Sequence, residues 1–117
     1  MSHDLRNLME IDRLIHEPAR LMIVTILYAW EQVDYLYLLQ ETSLTKGNLT
    51  GHITKLEEAG YVEVEKTFRG KVPRTICKLS QKGRAAFETY RQQMQQFIDS
   101  TTESSAPPPE NFLPQSV

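Results

Sequence analysis

The chain has 117 residues and a formal net charge of −2, with 40% hydrophobic and 24% charged residues. This length fits one domain with short tails and excludes a second, catalytic domain. The longest apolar stretch, residues 21–30, is far too short to cross a bilayer, and acidic residues interrupt the amino terminus where a secretion signal would be apolar. A single cysteine, Cys77, excludes an internal disulfide, so we expect a cytoplasmic protein.

The charges are distributed unevenly along the chain. Residues 43–84 contain nine basic and four acidic side chains, a net charge of +5, which leaves −7 for the remainder. All five glycines also lie in this basic window. The overall charge therefore does not exclude a nucleic-acid partner, because the positive charge is concentrated in one part of the sequence.

Hydrophobic spacing predicts two helices at the start of the chain. Apolar residues at intervals of three and four predict a first helix over 5–16. Pro18 suits the first turn of a second helix, which ends at Trp30. Its nearly continuous apolar run indicates that this second helix is buried on most sides.

A tight turn at residues 42–44 separates two further helices. Asp34 is the predicted N-cap of a short helix over 35–41. The side chains expected to face inward are Leu36 and Leu39, with Leu38 as a third candidate. Thr45 is the predicted N-cap of the next helix, which runs to Ala59 and ends where Gly60 adopts the left-handed conformation. The buried seam of that helix comprises Leu49, Ile53 and Leu56.

The hydrophobic period then changes from that of a helix to that of a strand. Residues 61–66 and 75–79 are predicted to pair as a hairpin, joined by a basic loop over 67–73 that is too long for a two-residue turn. Cys77 alternates inward on the second strand and is expected to be a buried structural thiol. Ser80 is the predicted N-cap of a last helix, whose apolar stripe is about three turns long.

The composition changes at Ser100, beyond which Ser, Thr, Glu and four of the six prolines predominate. Such a segment buries too little apolar surface to offset the entropy of ordering it. We therefore predict a domain over residues 1–99 and a flexible tail over 100–117.

The predicted order of helix, helix, short helix, turn, helix, hairpin and helix is that of a winged helix-turn-helix, a mainly α fold with a small β-hairpin wing. Several segments carry a closer resemblance: LIHEPARL at 14–21, LTKGNLT at 44–50, LEEAGYV at 56–62, KTFRGKVPRT at 66–75 and LSQKGRAAF at 79–87. In these, the sequence resembles the MarR-like winged-helix transcriptional regulators over about residues 11–98, especially the compact members. The resemblance implies a cytoplasmic homodimer that binds duplex DNA and regulates transcription.

In this fold the helix over 45–59 lies in the DNA major groove, and the hairpin loop reaches the backbone or the minor groove. Asn48 can pair with adenine, and Lys46 and Lys55 can reach guanine acceptors or phosphates. The other helix residues predicted to bind DNA are Thr45, Gly47, Thr50, Gly51 and His52. The predicted wing contacts are Arg69, Gly70, Lys71 and Arg74, which would present cations to phosphates or to a narrow minor groove.

Gly47 and Gly51 are unusual because a glycine in a helix interior costs about 0.5–1 kcal/mol relative to alanine. One interpretation is that the helix backbone approaches DNA closely at these positions. The alternative is that a neighbouring helix packs tightly against them.

The terminal helices carry more apolar surface than a small winged-helix core needs, which predicts a homodimer. The expected interface residues are Leu5, Leu8, Ile11, Ile15, Phe87, Tyr90, Met94 and Phe97. The alternative is that both helices pack only on their own core. A concentration of aromatic residues, formed by Tyr28, Trp30, Tyr35 and Tyr37, is explained either by core packing or by an effector pocket.

The leading hypothesis is a sequence-specific DNA-binding regulator with a pseudo-palindromic operator whose half-sites lie about one helical turn apart. A small-molecule effector, if the protein has one, would change the spacing of the two recognition helices through the dimer interface. The alternative hypothesis is a winged-helix protein-interaction module without a DNA role, whose charge-segregated surface binds an acidic partner. No residues are spaced as a metal site or a nucleophile with its base, so neither a cofactor nor enzymatic activity is expected.

Overall fold

The computed structural model describes residues 5–102 and Glu110. A 3₁₀ helix, Leu5–Glu10, is followed by four α-helices and three strands. In chain order these are α1 (Pro18–Ala29), β1 (Val33–Asp34), α2 (Tyr35–Thr42), α3 (Lys46–Glu58), β2 (Val62–Arg69), β3 (Val72–Leu79) and α4 (Gln81–Thr102). The strands form one antiparallel sheet in the order β1-β3-β2. The mainly α architecture with a β-hairpin wing is confirmed.

The predicted first helix over 5–16 is wrong beyond Glu10. Asp12 interrupts it, because its Oδ1 accepts hydrogen bonds from the backbone N–H groups of Leu14 and Ile15 at 2.9 and 3.1 Å. An aspartate that accepts hydrogen bonds from backbone N–H groups two and three residues later stabilises a turn, which competes with a helix. The chain then re-enters helical conformation at Pro18, after an extended Glu17 whose side chain caps α1.

The short helix α2 begins as predicted. Asp34 Oδ1 accepts a hydrogen bond from the Leu36 N–H at 2.8 Å, which confirms its N-cap role. Leu38 is fully buried and Leu39 is half-buried, whereas Leu36 is 65% exposed, so its predicted inward orientation is wrong. Leu36 lies in the first turn of α2 beside Tyr37, which is also exposed.

Helix α3 follows the predicted pattern closely. Thr45 Oγ1 accepts a hydrogen bond from the Asn48 N–H at 3.2 Å and caps the helix. The seam of Leu49, Ile53 and Leu56 is buried in the core. Gly60 adopts φ +80°, the left-handed conformation predicted for the end of this helix.

The wing, defined here as β2, β3 and the turn between them, is longer than the sequence indicated. Pairing continues outward through Phe68↔Pro73 to Arg69↔Val72, which leaves only Gly70 and Lys71 in the turn. The predicted loop over 67–73 is therefore wrong. Gly70 has φ +64°, the conformation that a two-residue hairpin turn of this kind needs at its first position. Hydrophobic alternation did not reveal this part of the strands because their outer ends face solvent.

Helix α4 is fixed at its start by close packing. Ser80 Oγ accepts a hydrogen bond from the Gly83 N–H at 3.0 Å and donates one to the Gly60 carbonyl, which confirms the predicted cap. Gly83 is buried, and a Cβ there would collide with the Tyr61 carbonyl oxygen. The helix reaches Thr102 and so includes the first three residues that composition assigned to the tail. Apart from Glu110, the rest of that predicted tail lies outside the described residues.

The core lies where α1, α3, the sheet and the first half of α4 meet. Its fully buried side chains include Ile15, Ile23, Leu27, Leu38, Leu49, Leu56 and Cys77. Strand β1 pairs with β3 at Val33↔Cys77, a strand that the sequence did not predict because it has only two residues. Within the described part of the chain, every helix is too short or too polar to span a membrane.

Candidate nucleic-acid interface

One side of α3 is free of the core. Opposite the buried seam, the exposed face of α3 carries the predicted helix contacts Gly47, Asn48, Gly51 and Lys55, and Lys46 is exposed in the first turn. Thr45 and Thr50 are also exposed. Two glutamates, Glu57 and Glu58, are exposed at the carboxyl-terminal end of the helix. The net charge of α3 is thus positive in its amino-terminal half and negative in its carboxyl-terminal half. The amino-terminal half is the one that meets base edges in helix-turn-helix proteins.

The two glycines of α3 have nothing packed against them. A Cβ built on Gly47 or on Gly51 would meet no atom within 4 Å. The alternative, that a neighbouring helix packs tightly against these glycines, is therefore wrong for the part of the chain that the structure describes. The two positions instead leave a strip of bare backbone on the exposed face of α3, where another molecule can approach closely.

Tyr35, at the start of α2, holds α2 against α3. Its hydroxyl donates to the Lys46 carbonyl at 3.2 Å and lies 2.9 Å from Thr50 Oγ1. The hydroxyl of Thr50 is thus engaged within the protein, although the side chain is exposed. From the sequence, Tyr35 is expected either to pack in the core or to line an effector pocket. Its hydrogen-bond partners in α3 could not be predicted, because they lie 11 and 15 residues away in the sequence.

The wing separates its predicted contacts into two groups. Arg69, Gly70 and Lys71 are exposed and form the wing tip. Arg74 is half-buried, and its Nε donates to Asp34 Oδ2 at 2.9 Å. Arg74 therefore connects the wing to the start of α2. The sequence predicts a cation free to contact DNA at this position, whereas the Arg74 side chain is paired within the protein. The hydrogen bond from the Leu36 N–H and the Arg74 guanidinium hold the pKa of Asp34 below its ordinary value.

His52 belongs to a polar cluster that links α3 to the start of α1. Arg20 Nε donates to the Leu14 carbonyl at 2.6 Å, and its Nη1 lies 3.1 Å from His52 Nδ1. Glu17 Oε2 lies 3.6 Å from Arg20 Nη1 and 3.7 Å from His52 Nδ1. Sequence reasoning missed this cluster, although HEPAR at 16–20 carries part of the family resemblance and His52 is a predicted DNA contact.

Glu17 has two functions in this cluster, as a helix cap and as an anion beside two basic groups. Its carboxylate accepts hydrogen bonds from the Ala19 and Arg20 N–H groups at 3.0 and 2.9 Å. Burial alone raises the pKa of Glu17, but these two hydrogen bonds and the nearby His52 and Arg20 outweigh it, so the pKa is lowered. Glu17 is therefore a stable negative counterpart for Arg20.

The predicted dimer residues divide into core and surface. Ile15, Phe87 and Tyr90 are buried in the core of their own protomer and have almost no surface to offer a partner, so their assignment to the interface is corrected. The others remain wholly or partly exposed: Leu5, Leu8, Ile11, Met94 and Phe97. Between the 3₁₀ helix and α4 lies a groove of about 500 Å³, called the terminal groove here. It is lined by Leu8, Ile11, Arg13, His16, Met94 and Phe97.

The aromatic residues do not form one pocket. Tyr28 packs against Phe87, with ring centroids 5.0 Å apart, and lies beneath the Arg84 guanidinium. Trp30 and Tyr37 are exposed and line an open groove of about 380 Å³. Core packing therefore explains Tyr28, and hydrogen bonding to α3 explains Tyr35.

Cys77 is an inert part of the core. It is fully buried, and burial raises the pKa of its thiol to about 11, followed by smaller effects of Asp34 and Glu57. A thiol of this kind is a poor nucleophile and a poor metal ligand. Among the described residues, no group of three or more His, Cys, Asp or Glu side chains is arranged to hold a metal ion.

Comparison with known proteins agrees with this geometry. A family model described as a winged helix DNA-binding domain matches residues 19–98. The uncharacterized protein MJ0432 of Methanocaldococcus jannaschii is 40% identical over 79 residues, which are 67% of this chain and 85% of that protein.

Solved structures show the same fold. A transcriptional regulator homologue from Pyrococcus horikoshii OT3 superimposes with a TM-score of 0.78 at 26% identity, over 83% of this chain and 98% of that one. A structure described as a MarR-family regulator, from Enterococcus faecalis V583, superimposes with a TM-score of 0.71 at 17% identity, over 90% and 96% of the two chains. The chain belongs to the winged helix DNA-binding domain family and has the fold of MarR-type transcriptional regulators.

Proposed function

We propose that this protein is a homodimeric, sequence-specific transcriptional regulator that binds duplex DNA with α3 in the major groove and the wing tip on the backbone or in the minor groove. The observation that carries the proposal is the exposed face of α3. Two glycines with open space above them lie between Lys46, Asn48 and Lys55, so backbone, amide and cations are all accessible to one surface. Amides and cations of this kind read purine edges and neutralise phosphates.

The wing tip supplies the second contact of this proposal. Arg69 and Lys71 flank Gly70 at the end of a paired ribbon, and both side chains are exposed there. Guanidinium and ammonium groups on such a ribbon bind phosphates without reading sequence. The wing therefore contributes affinity and register, and α3 contributes specificity.

Two copies of the chain would read a symmetric site. In the proposed two-fold dimer, joined through the terminal grooves, the two α3 helices would lie in successive major grooves, and the operator would be a pseudo-palindrome with half-sites about one helical turn apart. Phe97, which is exposed and lines the groove, supports this contact, and Leu5 adds exposed apolar surface in the 3₁₀ helix.

The test is a fluorescence polarisation titration with a duplex that the wild-type chain selects from a randomised pool. We expect Lys46→Ala, Arg69→Ala and Lys71→Ala each to weaken binding, and the wing variants to reduce the salt slope by about 1 for each phosphate that is no longer neutralised. Lys78→Ala is the matched control, because Lys78 is an exposed lysine on β3 opposite Glu63 and away from the wing tip.

Unchanged affinity in all three variants would refute the named contacts. Weak wild-type binding that is indifferent to sequence would instead favour the protein-interaction module, in which the basic surface recognises an acidic protein.

A further inference from the structure

Arg20 determines which ring nitrogen of His52 carries the proton. Arg20 Nη1 lies 3.1 Å from His52 Nδ1, within hydrogen-bond distance. A guanidinium has only donors, so Nδ1 is the acceptor in this contact. Glu17 Oε2, the other group near Nδ1, is 3.7 Å away and beyond hydrogen-bond distance. In the neutral imidazole the proton is then on Nε2, because the partner of one ring nitrogen sets the state of the other.

Arg20 is itself held firmly enough to impose this choice. Its Nε donates to the Leu14 carbonyl at 2.6 Å, and Glu17 Oε2 lies 3.6 Å from Nη1. Only 12% of the Arg20 side chain is exposed. The guanidinium therefore cannot swing away from Nδ1 without losing the Leu14 bond. The contact fixes both the orientation of the imidazole ring and its tautomer.

Within residues 5–102, the opposite nitrogen of His52, Nε2, makes no hydrogen bond to the protein. Among the hydrogen bonds between described residues, none starts from Nε2, and the side chain is 23% exposed. His52 follows Asn48 by four residues and precedes Lys55 by three, so the three side chains are neighbours along one flank of α3. Asn48 and Lys55 both belong to the exposed face of α3.

We propose that Arg20 is a positioning residue that presents the Nε2–H of His52 to a hydrogen-bond acceptor on the DNA, either a purine N7 or a phosphate oxygen. This inference rests on the proposed function and adds to it which partner donates the hydrogen bond in one contact: His52 donates and the DNA accepts. At the position facing His52, the DNA must accept a hydrogen bond, so a group that only donates is rejected there.

The first test measures the tautomer in the free, full-length protein. Long-range ¹H–¹⁵N correlation spectra of histidine-labelled protein distinguish a protonated from an unprotonated ring nitrogen. We expect His52 to show a protonated Nε2 and an unprotonated Nδ1, and Arg20→Met to lose this preference. A protonated Nδ1 with a bare Nε2 in the wild-type chain would overturn the proposal, whether or not the Arg20 variant folds.

The second test uses two variants that divide the functions of the ring. In His52→Gln the amide nitrogen lies near the place of Nε2, so the donor towards DNA is kept and the acceptor for Arg20 is removed. In His52→Asn the amide oxygen lies near the place of Nδ1, so the acceptor for Arg20 is kept and the donor is removed. We expect His52→Gln to bind the selected duplex within about threefold of wild type and His52→Asn to bind about tenfold more weakly, as for the loss of one hydrogen bond.

A purely structural role for His52 predicts the reverse order, with the larger loss in His52→Gln, and that result would overturn the proposal. Equal losses in both variants would overturn it too. Thermal unfolding of both variants shows whether either loss reflects folding. If the wild-type chain binds no duplex, the proposed function itself fails; if it binds and the two variants are indistinguishable from it, only this inference fails.

The two acceptors are separated by modified duplexes. If a purine N7 is the acceptor, 7-deazapurine at one operator position weakens wild-type binding but has no further effect on His52→Asn. If a phosphate is the acceptor, a methylphosphonate at one position does the same. Either result supports the proposal. If no such substitution weakens the binding of wild type or of His52→Asn, the proposal is overturned.

Discussion

At the scale of single residues, Gly47 and Gly51 reduce the stability of α3 but leave its backbone accessible for binding. Gly47 is exposed in the first turn of α3 and Gly51 in its interior, and neither has an atom near the position that a Cβ would occupy. Glycine there weakens the helix without any packing benefit. Such a cost at two positions one turn apart is best explained by a molecule that approaches the backbone from outside.

We therefore expect Gly47→Ala and Gly51→Ala to affect stability and binding in opposite directions. Each should raise the free energy of unfolding by about 0.5–1 kcal/mol, because alanine favours the helix, and each should weaken binding to the selected duplex. Urea unfolding and polarisation titrations measure the two effects. Tighter or unchanged DNA binding in both variants would show that the bare backbone is not part of the interface.

At the scale of secondary-structure elements, glycine has a different function in α4. Gly83 is buried in the first turn of α4, where a Cβ would meet the Tyr61 carbonyl oxygen and the Leu79 side chain. The Ser80 cap joins the same region, since its hydroxyl contacts both Gly83 and Gly60. The end of α3, the base of the wing and the start of α4 are thus packed as one unit.

Gly83→Ala is expected to destabilise the protein, whereas Gly47→Ala and Gly51→Ala are expected to stabilise it. The added methyl group must displace backbone, and overpacking of this kind costs about 1–3 kcal/mol. Gly51→Ala is the matched control, because the same substitution in open space should stabilise the protein. Urea unfolding distinguishes them, and equal effects of the two substitutions would contradict the packing described here.

The contact between Asp34 and Arg74 links α2 to the wing and depends on pH. The folded-state pKa of Asp34 is lowered, so its contribution to stability is complete above the unfolded-state value of about 4 and is lost as the pH falls through the folded-state value. Asp34→Asn should keep a cap for α2 while weakening the ion pair with Arg74. We expect it to be less stable than wild type by about 1 kcal/mol at pH 7, and this difference to shrink as the pH falls through the folded-state pKa of Asp34.

Urea midpoints of both proteins between pH 2 and 7 measure this difference. Parallel curves across the whole range would show that the carboxylate of Asp34 contributes nothing through its charge. Because the variant keeps the amide oxygen at the cap, a loss of α2 itself is not the expected cause of the difference.

At the scale of the whole molecule, charge and apolar surface are separated. The basic window contains α3 and the wing, and the acidic remainder contains the terminal elements that form the terminal groove. Repulsion between the acidic parts and DNA disfavours orientations that do not present α3 and the wing. Non-specific DNA affinity is therefore expected to be modest compared with binding to the operator.

The terminal groove is the expected site of dimer contact. Phe97→Asp places a charge on its apolar lining and should shift the protein towards the monomer in sedimentation velocity experiments. Phe68→Asp is the control, since Phe68 is an exposed phenylalanine on the wing and outside the groove. A wild-type chain that sediments as a monomer at all concentrations, or a Phe97→Asp variant that remains dimeric, would refute this interface.

Elements that depend on neighbouring residues were predictable from the sequence. The caps at Asp34, Thr45 and Ser80, the seam of α3 and the left-handed Gly60 all follow from short spacings, because capping and helical periodicity involve residues a few positions apart. The order of these elements was sufficient to identify the winged-helix architecture and the exposed face of α3.

Only the tertiary structure decided which polar groups are free. Arg74 and Lys71 look alike in sequence, yet Arg74 pairs with Asp34, 40 residues away, and Lys71 is exposed at the wing tip. His52 meets Arg20 across 32 residues, and Ile15 proved to be core rather than interface. The sequence by itself determined the local conformations and the charge of this protein, whereas the choice of partner for each side chain depended on distances that exist only once the chain has folded.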